Sequence, residues 1–197
     1  MFLWSVIALL CPGPRPRNAA ATRTTILEAA RERFAAESYD DVSMRDIARD
    51  VGVDAALISR YFGSKDDLFL AALDSCGDGS ELMSGDKADF GRRVAHEIVF
   101  EPKKADKLKG MSIMLRSIGS AKAAEMVQTT CSQRFFGPLE EWLSGPDATV
   151  RARLLAGFIM GMSISRELGG GSFNIEPAQC EEMRDRLAPI LQSLIDG

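Results

Sequence analysis

The stretch Ser43-Met-Arg-Asp-Ile-Ala-Arg-Asp-Val-Gly-Val-Asp-Ala-Ala-Leu-Ile-Ser-Arg-Tyr-Phe62 encodes two short helices and the corner between them. Ser43 stands where it accepts the backbone N–H of Asp46 while the Asp46 carboxylate reaches back, a capping box that starts a helix. Ile47, Ala48 and Val51 give that helix its buried side. Gly52 stops it, because glycine takes a left-handed backbone at little cost. Asp54 then caps a second helix over Ala55–Phe62. At about 100° per residue, Ala55, Ala56, Ser59 and Arg60 share one side and Leu57, Ile58, Tyr61 and Phe62 the other. A face of small residues with a single guanidinium permits close approach to another surface. Helix, glycine turn and helix with such a face is the arrangement that enters a DNA major groove. On the pattern alone, an ordinary corner between two helices fits equally well.

Upstream, Ile26, Leu27, Ala30 and Phe34 fall on one side of a helix expected from Thr22 to near Ser38-Tyr39. Downstream, Ser64-Lys-Asp-Asp67 predicts another capped helix whose first N–H groups suit a phosphate. Thr24-Thr-Ile-Leu-Glu-Ala-Ala-Arg-Glu-Arg-Phe34, Tyr39-Asp-Asp-Val-Ser-Met-Arg-Asp-Ile-Ala48, Val51-Gly-Val-Asp54 and Ile58-Ser-Arg-Tyr-Phe-Gly-Ser-Lys-Asp-Asp-Leu68 follow in order without gaps. Together these strings resemble the TetR family of transcriptional regulators over about 22–73. The resemblance implies a homodimeric DNA-binding protein, with a helical ligand-sensing domain behind the reading head.

Carried over by position, Ser43 and Arg45 lie where the family's second helix meets the phosphate backbone. Ala55, Ala56, Ser59 and Arg60 lie where its recognition helix reaches base edges and flanking phosphates, with Asp54 at the start of that helix. Lys65 matches a lysine of the fourth helix near the backbone. The chain departs from the family at Ser59, where a phosphate-binding tyrosine is common, and at Ala56, often glycine. Tyr61 is a candidate to compensate, although the wheel places it on the inner side. Arg60 is the candidate base reader, because arginine can give two donors to guanine O6 and N7.

The composition limits what else the chain can be. At 197 residues it is long enough for one domain or two small ones, and 46% hydrophobic with 26% charged residues is globular. Its 24 Lys and Arg against 28 Asp and Glu leave a net charge of −4, which excludes a wholesale basic coat. Even between Arg15 and Asp67 nine basic residues face ten acidic ones. Arg15, Arg17 and Arg23 precede any carboxylate and read either as an arm toward DNA or as a solvated tail.

The single histidine, His96, falls on the polar side of the apolar stripe Phe90, Val94 and Ile98, which reads as a surface position. The four cysteines, Cys11, Cys76, Cys131 and Cys180, are too widely spaced for a zinc knuckle or a disulfide framework. No phosphate-binding glycine loop occurs, and Gly169-Gly-Gly171 reads as a connector. No enzyme, metal site or cofactor is expected. Met1-Phe-Leu-Trp-Ser-Val-Ile-Ala-Leu-Leu-Cys11 is apolar but lacks the basic residues of a secretory signal. It is also shorter than the ~20 residues of a membrane span. Residues 1–18 are therefore expected to be an unstructured or misassigned tail, and no membrane association is expected.

Beyond the head, helices are expected over about 87–100, 106–116, 121–142 with an interruption near Gly137-Pro138, 149–168 and 177–195. Asp147 and Glu176-Pro177 serve as starts. Phe90, Val94, Met111, Met114, Leu115, Met126, Phe135 and Phe136 are methionines, aromatics and aliphatics without charge nearby, suited to a pocket for an apolar or amphipathic ligand. A plain core explains the same residues. Gly157, Gly161 and Ser165, flanked by Leu154 and Phe158, would let two helices approach closely. Leu187 and Leu191 supply an apolar face to the last helix. Two such helices per chain suit a four-helix dimer interface, and internal packing remains the other reading. The layout around Gly137-Pro-Leu139 and Arg186-Leu-Ala-Pro189 is similar to C-terminal domains of actinobacterial-type family members.

The expectation is an all-α protein with an unstructured or misassigned tail over 1–18, a helix-turn-helix head over 19–82 (motif about 44–63) and a helical effector-binding and dimerisation domain over 83–197. As implied by the resemblance, it is a cytoplasmic regulator, a homodimer on a palindromic operator in double-stranded DNA, released by a small-molecule effector. A ligand-independent architectural DNA-binding protein and a membrane-tethered helical module are the alternatives.

Overall fold

A computed structural model describes residues 19–77, 79–102 and 104–197, so the apolar stretch at the start, Arg15 and Arg17 lie outside the described residues. Among the described residues the regular structure is entirely helical, and no helix is long and apolar enough to cross a membrane. The head comprises α1 (Ala19–Ala36), α2 (Met44–Val51), α3 (Ala55–Phe62) and α4 (Lys65–Asp74). Behind it follow α5 (Phe90–Phe100), α6 (Ala105–Ser117), α7 (Ala121–Cys131), α8 (Gly137–Leu143), α9 (Ala148–Leu168) and α10 (Pro177–Asp196).

Several boundaries differ from those read in sequence. The first helix begins at Ala19, so Arg23 belongs to it and is no part of an arm; its guanidinium lies 4.6 Å from the centre of the Phe62 ring. Lys87–Asp89 is a separate tight turn that leads into α5. At Gly137-Pro138 the chain does not break. Ser132–Phe136 instead forms a π-helical turn that carries α7 into α8, with Pro138 in the first turn of α8.

The helices bury two cores, and these do not follow chain order. Ile26, Phe34, Ile47, Ile58, Leu68 and Phe69 of the head pack together with Ile113 of α6 and Ala123 of α7. Phe34, Tyr39 and Phe69 meet there with ring centres 5.1–6.1 Å apart. The second core joins α5, α8, α9 and α10 through Phe90, Val94, Ile98, Leu139, Leu155, Leu187 and Leu191. α5 and α10 run antiparallel, Gly91 meeting Ala188 and Gln192 while Phe100 meets Arg184.

Two buried arginines of α9 tie this second layer together. Arg151 donates to the carbonyls of Leu194 and Ile195 near the end of α10 and of Ser144 and Pro146 before α9. Arg166 donates to Ile98, Glu101 and Gly171 carbonyls. Each satisfies carbonyls that a helix end leaves without an intrahelical partner.

Candidate nucleic-acid interface

The corner forms as its sequence dictates. Ser43 Oγ accepts the Asp46 N–H at 3.2 Å and the Asp46 carboxylate accepts the Ser43 N–H at 3.2 Å. Gly52 ends α2 at φ 73° and ψ 36°, a left-handed backbone that a residue with a Cβ would strain. Asp54 Oδ1 accepts the Ala56 N–H at 2.7 Å and starts α3. Arg33 of α1 holds α2 in place by donating to both oxygens of Asp50, at 2.5 and 2.8 Å.

Ile58 and Phe62 are buried, which turns the other side of α3 outward. Ala56, Ser59 and Arg60 are exposed, Ala55 is half-buried and Asp54 is exposed at the helix start. Tyr61 is half-buried against the head core, as the wheel indicates, so it does not stand beside Ser59. Ser43 and Arg45 are exposed at the start of α2. Among the described residues Arg45 and Arg60 have no ion-pair partner, whereas the neighbouring Arg49 pairs with Asp46 at 3.1 Å. Two free guanidiniums and a small-residue helix face thus share the corner, an arrangement suited to phosphates and base edges.

Lys65 is held differently from the other two cations. Its ammonium rests 4.1 Å from the centre of the Tyr39 ring, and burial lowers its pKa. The Tyr39 hydroxyl donates to Asp66, which also pairs with Lys122 of α7 at 2.6 Å. Those two partners, Lys122 first, hold the Asp66 carboxyl below the usual range. At the start of α4 the Asp67 N–H is already taken by Ser64 Oγ at 3.1 Å, and Asp66 and Asp67 place two carboxylates in the first turn. A phosphate there meets fewer free donors than the sequence reading expects.

A cavity of about 610 Å³ opens between the two cores. Val94, Met111, Met114, Phe135 and Phe136 line it, as the sequence reading expects. Three others of that set do not. Phe90 lies wholly inside the second core, its ring 5.5 Å from that of Trp142. Leu115 sits at the solvent edge of α6 and Met126 packs on the head core, because α6 and α7 turn their other faces to the cavity. Ile159, Met160 and Ser163 of α9 complete the wall, as do the thiols Cys76 and Cys131. The expected absence of charge is also overturned. Glu81 pairs with Lys104 at 3.0 Å and with Lys107 at 2.9 Å, Lys107 reaches Glu97 at 3.5 Å, and Arg134 pairs with Asp74. The two lysines, Lys107 first, pull the Glu81 carboxyl down to about 2. These partners are far apart in sequence, so no local pattern announces them.

Leu154, Gly157, Phe158, Gly161 and Ser165 all lie exposed along α9. A Cβ added at Gly157 or Gly161 would meet nothing within 4 Å. Leu187 and Leu191, expected at a dimer face, are only 4% and 0% exposed. They point inward because α10 uses that side to cover α5, leaving Ile190 as the exposed aliphatic of α10. His96 is exposed beside Phe100 and does not line the cavity described above.

Comparison with known proteins agrees with this geometry. Residues 26–72 match the family described as bacterial regulatory proteins, tetR family, and residues 88–195 match the Tetracyclin repressor-like C-terminal domain. A TetR-family regulator from Streptomyces coelicolor is similar at 25% identity and a TM-score of 0.53, over 94% of this chain and 100% of that one. NalD of Pseudomonas aeruginosa, described as the secondary repressor of the MexAB-OprM multidrug efflux pump, shares the fold at 18% identity and a TM-score of 0.61, over 86% and 96% of the two chains. A Saccharomonospora viridis protein described as a transcriptional regulator and solved with choline shares it at 22% identity and a TM-score of 0.56, over 88% and 96%. No curated protein sequence matches this chain significantly.

Proposed function

The chain belongs to the tetR family of bacterial regulatory proteins and is a DNA-binding transcriptional regulator rather than an enzyme, and from that premise we propose that it is a cytoplasmic repressor released by a small molecule. As a homodimer it sets two α3 helices about 34–36 Å apart in successive major grooves of a palindromic operator. Arg60 reads bases, Arg45 and Ser43 meet phosphates, and Ala55, Ala56 and Ser59 let the backbone of α3 come close. Asp54 caps that helix, Tyr61 supports it from within, and Lys65 adds a weaker phosphate contact. The exposed face of α9, from Leu154 to Ser165, joins the two chains.

The observation that carries this reading is that Arg45 and Arg60 have no ion-pair partner among the described residues, on a corner where Arg33 and Arg49 are paired. For release, α6 is the connecting element. Lys107, Gly110, Met111 and Met114 line the cavity, while Asp106 pairs with Arg31 and Lys109 with Glu32 at 2.5 Å. Ile113 of the same helix is part of the head core, and Arg116 donates to the Ala35 carbonyl at 2.8 Å. A filled cavity and an operator-bound head then compete for the position of one helix, which is a coupling of two sites.

The test is fluorescence anisotropy on DNA from the region upstream of the protein's own gene. A sequence-selective complex that weakens steeply with salt is expected. Binding that ignores sequence would instead support the architectural reading.

A further inference from the structure

The cavity wall combines two features: an apolar interior, and a rim whose charges are already matched. Leu73, Leu82, Val94, Ile98, Met111, Met114, Phe135, Ile159 and Met160 supply the interior, and methionines let it adapt to irregular shapes. Seven described lining residues carry charge, and each has an opposite partner. Asp74 pairs with Arg134, Asp106 with Arg31, and Glu81 and Glu97 share Lys107, with Lys104 also on Glu81. The two thiols stay protonated at neutral pH, because burial raises both Cys76 and Cys131 above their ordinary value. Phe136 is also engaged: the Arg153 guanidinium sits 3.5 Å from the centre of its ring, where an ammonium ligand would stack.

We propose that this cavity takes a neutral, apolar ligand and rejects both cationic and anionic molecules of the same shape. The inference rests on the reading of the cavity as the effector site and names the ligand class for it. A charged ligand would lose its hydration on passing the rim. To regain a partner inside the cavity it would have to draw one of the rim charges away from the partner it already has. A neutral ligand does neither and gains the burial of its surface against methionine, leucine and phenylalanine. Cavities of ~300–1,000 Å³ hold drug-sized molecules, so about 610 Å³ is ample for a ten-carbon chain or a small polycycle. A Cβ at Gly79 would stand 2.5 Å from the Phe135 ring, so the loop before α5 lies directly against the cavity's aromatic wall.

The test uses three probes with the same tail and different heads: 1-decanol, decanoate and decyltrimethylammonium. Each competes with Nile red, itself neutral, for the full-length protein, and each is scored for its shift of the thermal midpoint. Decanol is expected to bind at least tenfold more tightly than either charged probe. Ala156→Phe, which narrows the cavity, abolishes decanol binding while circular dichroism and operator binding persist. Lys107→Met removes the lysine shared by Glu81 and Glu97 and improves decyltrimethylammonium binding at least fivefold. Should Ala156→Phe fail to fold, Met111→Trp narrows the cavity from α6 instead. A charged probe that binds wild type as well as decanol does overturns the ligand class and leaves the effector site standing. Binding of none of the three, or decanol binding untouched by the narrowed cavity, overturns the effector site as well. An unchanged ammonium affinity in Lys107→Met shows that the matched rim is not what excludes cations, and overturns the argument from charge.

Discussion

Gly91 of α5 and Ala188 of α10 lie backbone to backbone: a Cβ built on Gly91 would fall inside contact distance of the Ala188 carbonyl and 2.9 Å from the backbone nitrogen of Gln192. Gln192 completes the joint, its side-chain oxygen accepting the Gly91 N–H at 2.9 Å and its amide donating to the Lys87 carbonyl at 3.0 Å. The second core is thus closed at one end by a crossing that tolerates no side chain. Gly91→Ala is expected to destabilise the fold by about 1–3 kcal/mol through overpacking. Urea denaturation would show it, with the midpoint reduced.

Arg166 is only 6% exposed and has carbonyls rather than a carboxylate as its partners, with Ile98 at 3.0 Å and Gly171 at 2.9 Å. Removing it leaves the end of α5 without donors. Arg166→Met should cost about 2–3 kcal/mol of stability, and Arg166→Lys should recover only part, since an ammonium lacks the planar fork. The same denaturation measurement ranks the three proteins.

On DNA, Arg60 and Arg45 should separate. Arg60→Ala is expected to lose about 1–3 kcal/mol of discrimination at one base pair. Arg45→Ala should weaken all sequences alike and lower the salt slope by about one per subunit. Lys65→Ala should also act on all sequences alike but less strongly, because its ammonium is already placed over Tyr39. Anisotropy titrations against single-base operator variants at several salt concentrations resolve the three effects.

The exposed α9 face can be tested by association. Phe158 is 39% exposed and belongs to neither core, so Phe158→Glu should change monomer stability by less than ~0.5 kcal/mol. Light scattering should nevertheless report a monomer, and operator affinity should collapse with it. A dimer that persists would move the interface elsewhere.

The two capping boxes of the head set a pH dependence. Hydrogen bonds from Ser43 and Ser64 hold the Asp46 and Asp67 carboxyls below their ordinary value of 3.8. A folded pKa below the unfolded one gives stability that is full above about pH 4 and lost as the pH falls through the folded value. The double variant Ser43→Ala, Ser64→Ala should therefore be less stable at pH 7 and show a flatter decline below pH 4. Thermal midpoints from pH 7 down to pH 2.5 test this.

Residues 43–68 were legible because every signal there is local: capping side chains three positions from their N–H groups, a glycine at the turn, and a wheel with two unlike faces. That much the amino-acid order determined by itself, down to Asp54 starting α3 and Gly52 ending α2. It also placed the α9 glycines in a helix and Val94, Met111, Met114 and Phe135 beside a pocket. Which side of an apolar helix faces inward was decided only in three dimensions. Leu187 and Leu191 repeat with a period that fits a dimer face or a core equally, and the choice fell to Gly91, which lets α5 cover them. Phe90, Leu115 and Met126 left the pocket for the same reason, since hydrophobicity names no neighbour. The matched rim of Glu81, Glu97, Lys104 and Lys107, and the assignment of Ile113 to the head core, come from contacts between distant parts of the chain. Caps and turns are fixed by covalent neighbours, whereas a cavity and its charges exist only where separate helices meet.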